Sequence, residues 1–227
     1  MAYNYLDLTN EVISRFNEVP LTSSSFTSSR GVQTQCKNVV NEALRYIDSK
    51  EYGWPFNHET QTDTLVVNQV RYTPPATSKH VDYESFRLVR DPSLNVEGRN
   101  LRIMDYNEYL ERFIEQEDTT DRGEIPRFVF RTPENKFGLY PYPDQAYSVK
   151  YEYYRFTTEL SAATDVPRVP EQFRNVIVDG AATYMYQYRG ELQLYAANQA
   201  KFDEGVKQMQ SILLNHYDYV RSTVIQK

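Results

Sequence analysis

The sequence predicts an α+β fold: an antiparallel helical bundle drawn from both chain ends, with an inserted, mainly antiparallel β domain. Three observations carry this. Apolar residues recur at helical period up to Tyr52, roughly a hundred residues of mostly alternating period follow, and helical period resumes at Pro170. The breaks fall at Tyr52-Gly53-Trp54-Pro55-Phe56-Asn57 and at Val166-Pro167-Arg168-Val169. The expected division is 1–57 with 158–227 for the bundle and a C-terminal tail, and 58–157 for the β-rich insert.

The first helix is expected over 6–18, with Leu8, Val12, Ile13, Phe16 and Val19 near one face. Pro20 is its expected stop, because proline lacks the N–H and disfavours helix in the residue before it. A Ser/Thr-rich connector, 22–31, supplies caps for the next helix. That second helix is expected over 32–52, with Cys36, Val39, Val40, Ala43, Leu44 and Ile47 as its apolar stripe and Gly53 as its stop. Trp54 and Phe56 are the candidates for plugging the seam between bundle and β domain.

The insert reads as extended from 62 to 156. Leu65-Val66-Val67 and Val70-Arg71-Tyr72 lead to a Pro74-Pro75 break, and Phe86 to Arg90 and Leu101 to Ile103 flank a turn at Asp91-Pro92. One helix interrupts the strands. Asp105 and Glu108 have capping-box spacing, and Tyr106, Tyr109, Leu110, Phe113 and Ile114 follow at helical period. The remainder reads as a meander through Phe128-Val129-Phe130, Phe137-Gly138-Leu139-Tyr140 and a strand alternating Tyr147, Val149, Tyr151 and Tyr153 inward.

The third helix opens at Pro170, a favoured first-turn residue. Its face is Phe173, Val176, Ile177, Gly180, Ala181, Tyr184 and Tyr188, and the small Gly180 and Ala181 admit a close neighbour. Gly190 ends it. The fourth helix is expected over 191–216, with Tyr195, Phe202, Val206, Met209 and Leu213 on one side, and the short break implies an antiparallel hairpin. The tail beyond it is rich in β-formers. It reads equally as a frayed end or as an arm that adds to a partner.

Composition excludes several classes. Lys+Arg 25 against Asp+Glu 31 gives 25 − 31 = −6, which argues against a general nucleic-acid binder. The lone Cys36 excludes an intrachain disulfide and reads as a buried small hydrophobe. No basic-then-apolar leader and no spanning helix is visible, so a cytoplasm-like compartment is expected. The 20 tyrosines suit wet interfaces as well as cores.

No residues are expected to be catalytic, metal-binding or cofactor-binding, and no cofactor is implied. His58, His80 and His216 are scattered without zinc spacing. Neither a Gly-rich phosphate loop nor a nucleophile elbow is present. Glu115, Glu117, Asp118, Asp121 and Glu124 form an acidic stretch that lacks EF-hand spacing and reads as a solvated loop.

Two segments carry a resemblance. Asn41-Glu42-Ala43-Leu44 through Gly53-Trp54-Pro55-Phe56-Asn57 is one, and Val169-Pro170-Glu171-Gln172-Phe173-Arg174 with the Tyr-rich run to Gly190 is the other. The chain resembles the head-to-tail adaptors of short-tailed bacteriophages, the tail tubular protein A family. The resemblance implies a non-enzymatic virion subunit of the tail or neck, assembled in the host cytoplasm. It implies a twelvefold ring between portal and tail nozzle that lines the DNA channel, touches passing DNA without reading sequence, and has tail fibres as further partners. On that reading Tyr217, Tyr219, Val220, Val224 and Ile225 of the tail are the portal-contact candidates. Two other functions stay open: a carbohydrate-binding or hydrolytic accessory protein using the aromatic β region, and a cytoplasmic binding module with no virion role.

Overall fold

The computed structural model describes residues 3–115 and 123–214. It is an α+β protein with five helices and two four-stranded sheets among those residues. The chain divides into two compact units. One takes its residues from both chain ends, up to Phe56 and from Thr157 onward, and the other is Asn57–Phe156.

The helical unit contains α1 (Tyr5–Arg15), α2 (Val32–Ser49), α4 (Arg174–Arg189) and α5 (Leu192–Leu213). Their apolar faces share one core, which includes Leu8, Val12, Cys36, Val40, Ile177, Ala181, Phe202 and Met209. At the start of α1, Asn4 caps the helix by accepting from the Asp7 N–H. The Tyr5 and Leu6 amides donate to the carbonyls of Asp165 and Ala163, at 2.8 and 3.1 Å. The loop before α4 therefore satisfies orphan donors of α1. The hydroxyl of Tyr3 ties the same region by donating to the Val169 carbonyl.

Local geometry corrects several expected boundaries. Pro20 does not end α1; the helix stops at Arg15 because Asn17 turns left-handed, with φ of 54°. Gly53 does not end α2 either. The helix stops at Ser49, and the Trp54 indole folds back to donate to the Ile47 carbonyl at 2.8 Å, satisfying one of its last acceptors. Residues 171–173 form a 3-10 turn before α4 begins. Gly190 does cap α4 in the left-handed region, at φ of 75°. Tyr188, expected on the buried face, is 60% exposed because it lies in the last turn, beyond the packed stretch 177–185.

The β unit holds β1 (His58–Thr64), β2 (Arg71–Tyr72), β3 (Ser78–Leu88), β4 (Arg99–Asn100), β5 (Arg102–Ile103), α3 (Tyr106–Arg112), β6 (Phe128–Arg131), β7 (Phe137–Tyr140) and β8 (Ser148–Arg155). One sheet has the order β1-β8-β3-β4 and the other β2-β7-β6-β5. All named pairings are antiparallel except β5 with β6. The two sheets contribute to a common core. There Phe86 of β3 stacks on Tyr151 of β8 at 4.6 Å and meets Phe137 of β7 edge-on at 5.0 Å. A second, smaller core lies between α3 and the second sheet, where Tyr109 stacks on Phe130 at 4.0 Å.

Here too the structure departs from expectation. The strands from Phe128 to Tyr153 are not a meander, because β8 leaves the sheet of β6 and β7 and inserts between β1 and β3. Leu65-Val66-Val67 is not extended strand; the strand is the polar segment His58–Thr64 just before it. Asp105 does cap α3, but its carboxylate accepts from the Asn107 amide rather than the Glu108 amide.

Candidate functional site

No group of three or more His, Cys, Asp or Glu side chains among the described residues is placed to hold a metal. Cys36 is fully buried, and burial pushes its thiol up to about 11, so it is a core residue rather than a nucleophile. Glu115 and Glu124 of the acidic stretch are described, whereas Glu117, Asp118 and Asp121 lie outside the described residues. Glu124 approaches Arg127 at 3.6 Å, both side chains being exposed. What the described residues do present is a set of surfaces.

The first surface is one end of the helical unit. Glu18, just past α1, pairs with Arg189 at the end of α4 at 3.1 Å, and Arg189 also lies over the Phe16 ring at 4.7 Å. These contacts bring the α1 exit beside the α4–α5 turn. Val19, Tyr188, Leu192 and Leu194 are there, exposed by 72, 60, 72 and 46%. The first turns of α5 contain no buried side chain; its buried residues are Phe202, Val206 and Met209. A helix segment without packed partners draws little stability from its own hydrogen bonds. This end has the character of a contact surface.

The second surface is a loop tip in the β unit. Val66 and Val67 are about half exposed. The Tyr72 hydroxyl accepts from the Val66 N–H at 3.2 Å and approaches the Val66 and Gln69 carbonyls at 3.1 and 3.0 Å. One phenol thus fixes the turn that presents two valines to solvent. Rigid presentation lowers the entropy cost of docking.

The third surface is the outer face of the first sheet. Register places His58 of β1 and His80 of β3 opposite Tyr154 of β8. Their rings lie 5.5 and 6.4 Å from the tyrosine ring. His58 also contacts Glu152 at 3.0 Å. Two histidines scattered in sequence are therefore one cross-strand row. Only the pairing of β1 and β3 with a common neighbour reveals this, and spacing gives no sign of it.

Trp54 is fully buried in the core of the helical unit and stacks on the half-buried Phe56 at 5.3 Å. The portal-contact candidates Tyr217, Tyr219, Val220, Val224 and Ile225, and also His216, lie outside the described residues. No helix among the described residues is long and apolar enough to cross a membrane.

A search of curated proteins returns no match to the chain. A profile described as SU10 adaptor protein matches residues 3–224, spanning both chain ends and the insert. This agrees with the resemblance to phage head-to-tail adaptors drawn from residues 41–57 and 169–190. The chain belongs to the SU10 adaptor protein family, a family of phage structural adaptors.

Proposed function

We propose that this chain is a non-enzymatic, ring-forming virion subunit that joins the portal to the tail nozzle and lines the DNA channel. The observation that carries the reading is the family match over nearly the whole chain. Membership implies oligomeric assembly with portal and tail proteins. In this reading the ring is twelvefold, the helices from both chain ends form an antiparallel bundle, and the bundle with its tail faces the portal. The tail residues Tyr217, Tyr219, Val220, Val224 and Ile225 make the portal contact, and Trp54 and Phe56 sit at the seam. The β domain faces the nozzle or tail fibres.

Physical chemistry supports the reading in two ways. A net charge of −6 suits a wall past which DNA slides without being gripped. Closed rings need two different, complementary side patches, and the exposed apolar residues of both units supply material for them. The carbohydrate reading lacks its platform. Among the described residues of the β unit, Phe156 is the one aromatic more than half exposed, while Tyr109, Tyr147, Tyr151 and Tyr153 are buried.

The test is the mass of the purified protein, alone and mixed with a portal ring from the same source. A discrete high-mass complex is expected, and truncation after Tyr217 is expected to impair it. A chain that stays monomeric beside portal would falsify the adaptor reading, and normal docking by the truncated chain would sink the tail assignment.

A further inference from the structure

Strand β1 forms one edge of the first sheet, and its neighbour β8 shows which of its backbone groups face outward. The Leu65 N–H donates to the Tyr147 carbonyl at 2.7 Å, and on the other side of β8 the Val89 N–H donates to the Ser148 carbonyl at 2.9 Å. Odd-numbered residues of β8 therefore bond toward β1 and even-numbered ones toward β3. Alternation along the ladder, with Asp63 opposite Val149, turns the backbone of Glu59, Gln61 and Asp63 toward β8 and that of Thr60, Thr62 and Thr64 away from it. No backbone hydrogen bond among the described residues reaches the outward N–H and C=O groups of these three threonines. Gln61 Nε2 touches the Thr62 carbonyl at 3.5 Å, long for a hydrogen bond.

This edge is long. β1 pairs over 7 residues without a shift, whereas β4, β2 and β5, the strands at the other sheet edges, have 2 residues each. An unpaired strand of that length is a template for another chain. The side chains along it set which chain. The three threonines are exposed, and hydroxyl or β-branched residues pair well with them across strands. Asp63 is half-buried, and its carboxylate accepts from the Tyr151 hydroxyl at 2.8 Å and from Gln61 Nε2 at 2.7 Å, both neutral donors. Glu59 differs, since Arg155 meets it at 3.0 Å. Asp63 thus holds a charge that no cation among the described residues offsets. In an antiparallel added strand the residue opposite Asp63 sits at a non-hydrogen-bonded pair, where side chains come closest.

We propose that the β1 edge takes up an extended segment of a partner protein as a further antiparallel strand, one that sets a lysine or arginine opposite Asp63 and hydroxyl or β-branched side chains beside the threonines. A strand without the cation would desolvate the Asp63 carboxylate with nothing to offset its charge, so the same side chain turns other strands away. A second copy of β1 does not fit, because His58–Thr64 contains no lysine or arginine. The site is independent of any contact with a portal.

Fluorescence anisotropy of the full chain tests this with three labelled probes. They are a short peptide alternating threonine and lysine, the same peptide with glutamine for lysine, and the lysine peptide N-methylated on its threonine amides, which removes the donors facing β1. The lysine peptide is expected to bind saturably and ~tenfold more tightly than either of the others, the scale of one charge-assisted hydrogen bond. Asp63→Asn should lower its affinity by a similar factor and leave the glutamine peptide unchanged. Thr62→Pro deletes an outward N–H that serves no ladder bond and should weaken both peptides. Should that variant's melting curve differ from the parent's, the N-methylated peptide carries the same test on the unaltered chain. Absence of saturable binding, equal binding of the glutamine peptide, or indifference to Asp63→Asn overturns the inference. Undiminished binding of the N-methylated peptide also overturns it, in favour of attraction by a chain of net charge −6 without edge pairing.

Discussion

The Phe202 ring of α5 lies directly on Gly180 of α4. A Cβ built on Gly180 would stand 2.5 Å from the ring's Cζ. Phe202 is fully buried and packs against the Tyr46 ring at 4.9 Å, so it cannot swing aside. Gly180→Ala is therefore expected to destabilise the helical unit by ~1–3 kcal/mol, the range for overpacking a tight core. Urea denaturation followed by far-ultraviolet circular dichroism checks this. A loss no larger than that of an exposed helix substitution would show that α4 and α5 can separate without cost.

A matching contact holds the β unit. A Cβ on Gly138 of β7 would come 2.1 Å from the Phe130 ring of β6, itself buried under Tyr109. Gly138→Ala is expected to cost roughly 1–3 kcal/mol. The effect should appear in near-ultraviolet circular dichroism as loosened aromatic packing, with helical signal largely kept. Pairing the variant with Phe130→Leu should recover part of the loss, since the two sites share one space.

Asp179 is a buried carboxylate between two cations. Arg15 of α1 meets it at 2.6 Å and Lys201 of α5 at 2.9 Å. Three helices are tied through one side chain that is 7% exposed. Asp179→Asn keeps the volume and removes the charge. The stranded cations are partly exposed and can rehydrate, so the cost is expected at about 1–3 kcal/mol, below that of stranding a buried ion. A double-mutant cycle with Arg15→Gln checks the coupling, and additive losses would show that the pair contributes nothing.

Legibility in the sequence followed burial by apolar atoms. The stripe from Cys36 to Ile47 and the alternation from Tyr147 to Tyr153 are buried, and both are plain in the residues. Strand β1 was hidden because His58–Thr64 contains no apolar residue. Its half-buried side chains are Glu59, Gln61 and Asp63. Glu59 accepts from the Tyr153 hydroxyl and from Arg155, and Asp63 from the Tyr151 hydroxyl. An edge strand held by phenol–carboxylate bonds carries no hydrophobic period. The surfaces were less legible still. Leu192 and Leu194 read as helix, and nothing in one sequence says that the core ends at Phe202. Lys79 of β3 and Arg131 of β6 line one cavity although their strands belong to different sheets, so packing of one sheet on the other joins them and no sequence spacing shows it.

Asp203 predicts part of the acid response. Its carboxylate accepts from the Tyr46 hydroxyl at 2.6 Å and from Gln199 at 3.0 Å. The Tyr46 bond chiefly holds its pKa below the ordinary aspartate value. The folded value is the depressed one. The contribution is therefore full above the unfolded pKa of about 3.9 and is lost as pH falls through the folded value. Asp203→Asn should flatten the acid limb of a stability-against-pH curve and leave the alkaline limb unchanged. Identical acid limbs would mean that the bond is replaced by water in solution.

Leu192 and Leu194 separate folding from assembly. Neither is buried, and α5 takes its packing from Phe202, Val206 and Met209 further along. Leu192→Ser with Leu194→Ser should shift the melting temperature of the isolated chain by little, since exposed substitutions fall within about 0.5 kcal/mol. If this end of the helical unit is covered in the assembled particle, the same variant should weaken assembly by about tenfold or more, the scale of truncating a buried interface anchor. A melting curve of the isolated chain gives the first arm, and mass photometry of the chain mixed with portal gives the second. A variant that assembles like the parent would leave these leucines as solvent-facing residues and move the contact elsewhere on the unit.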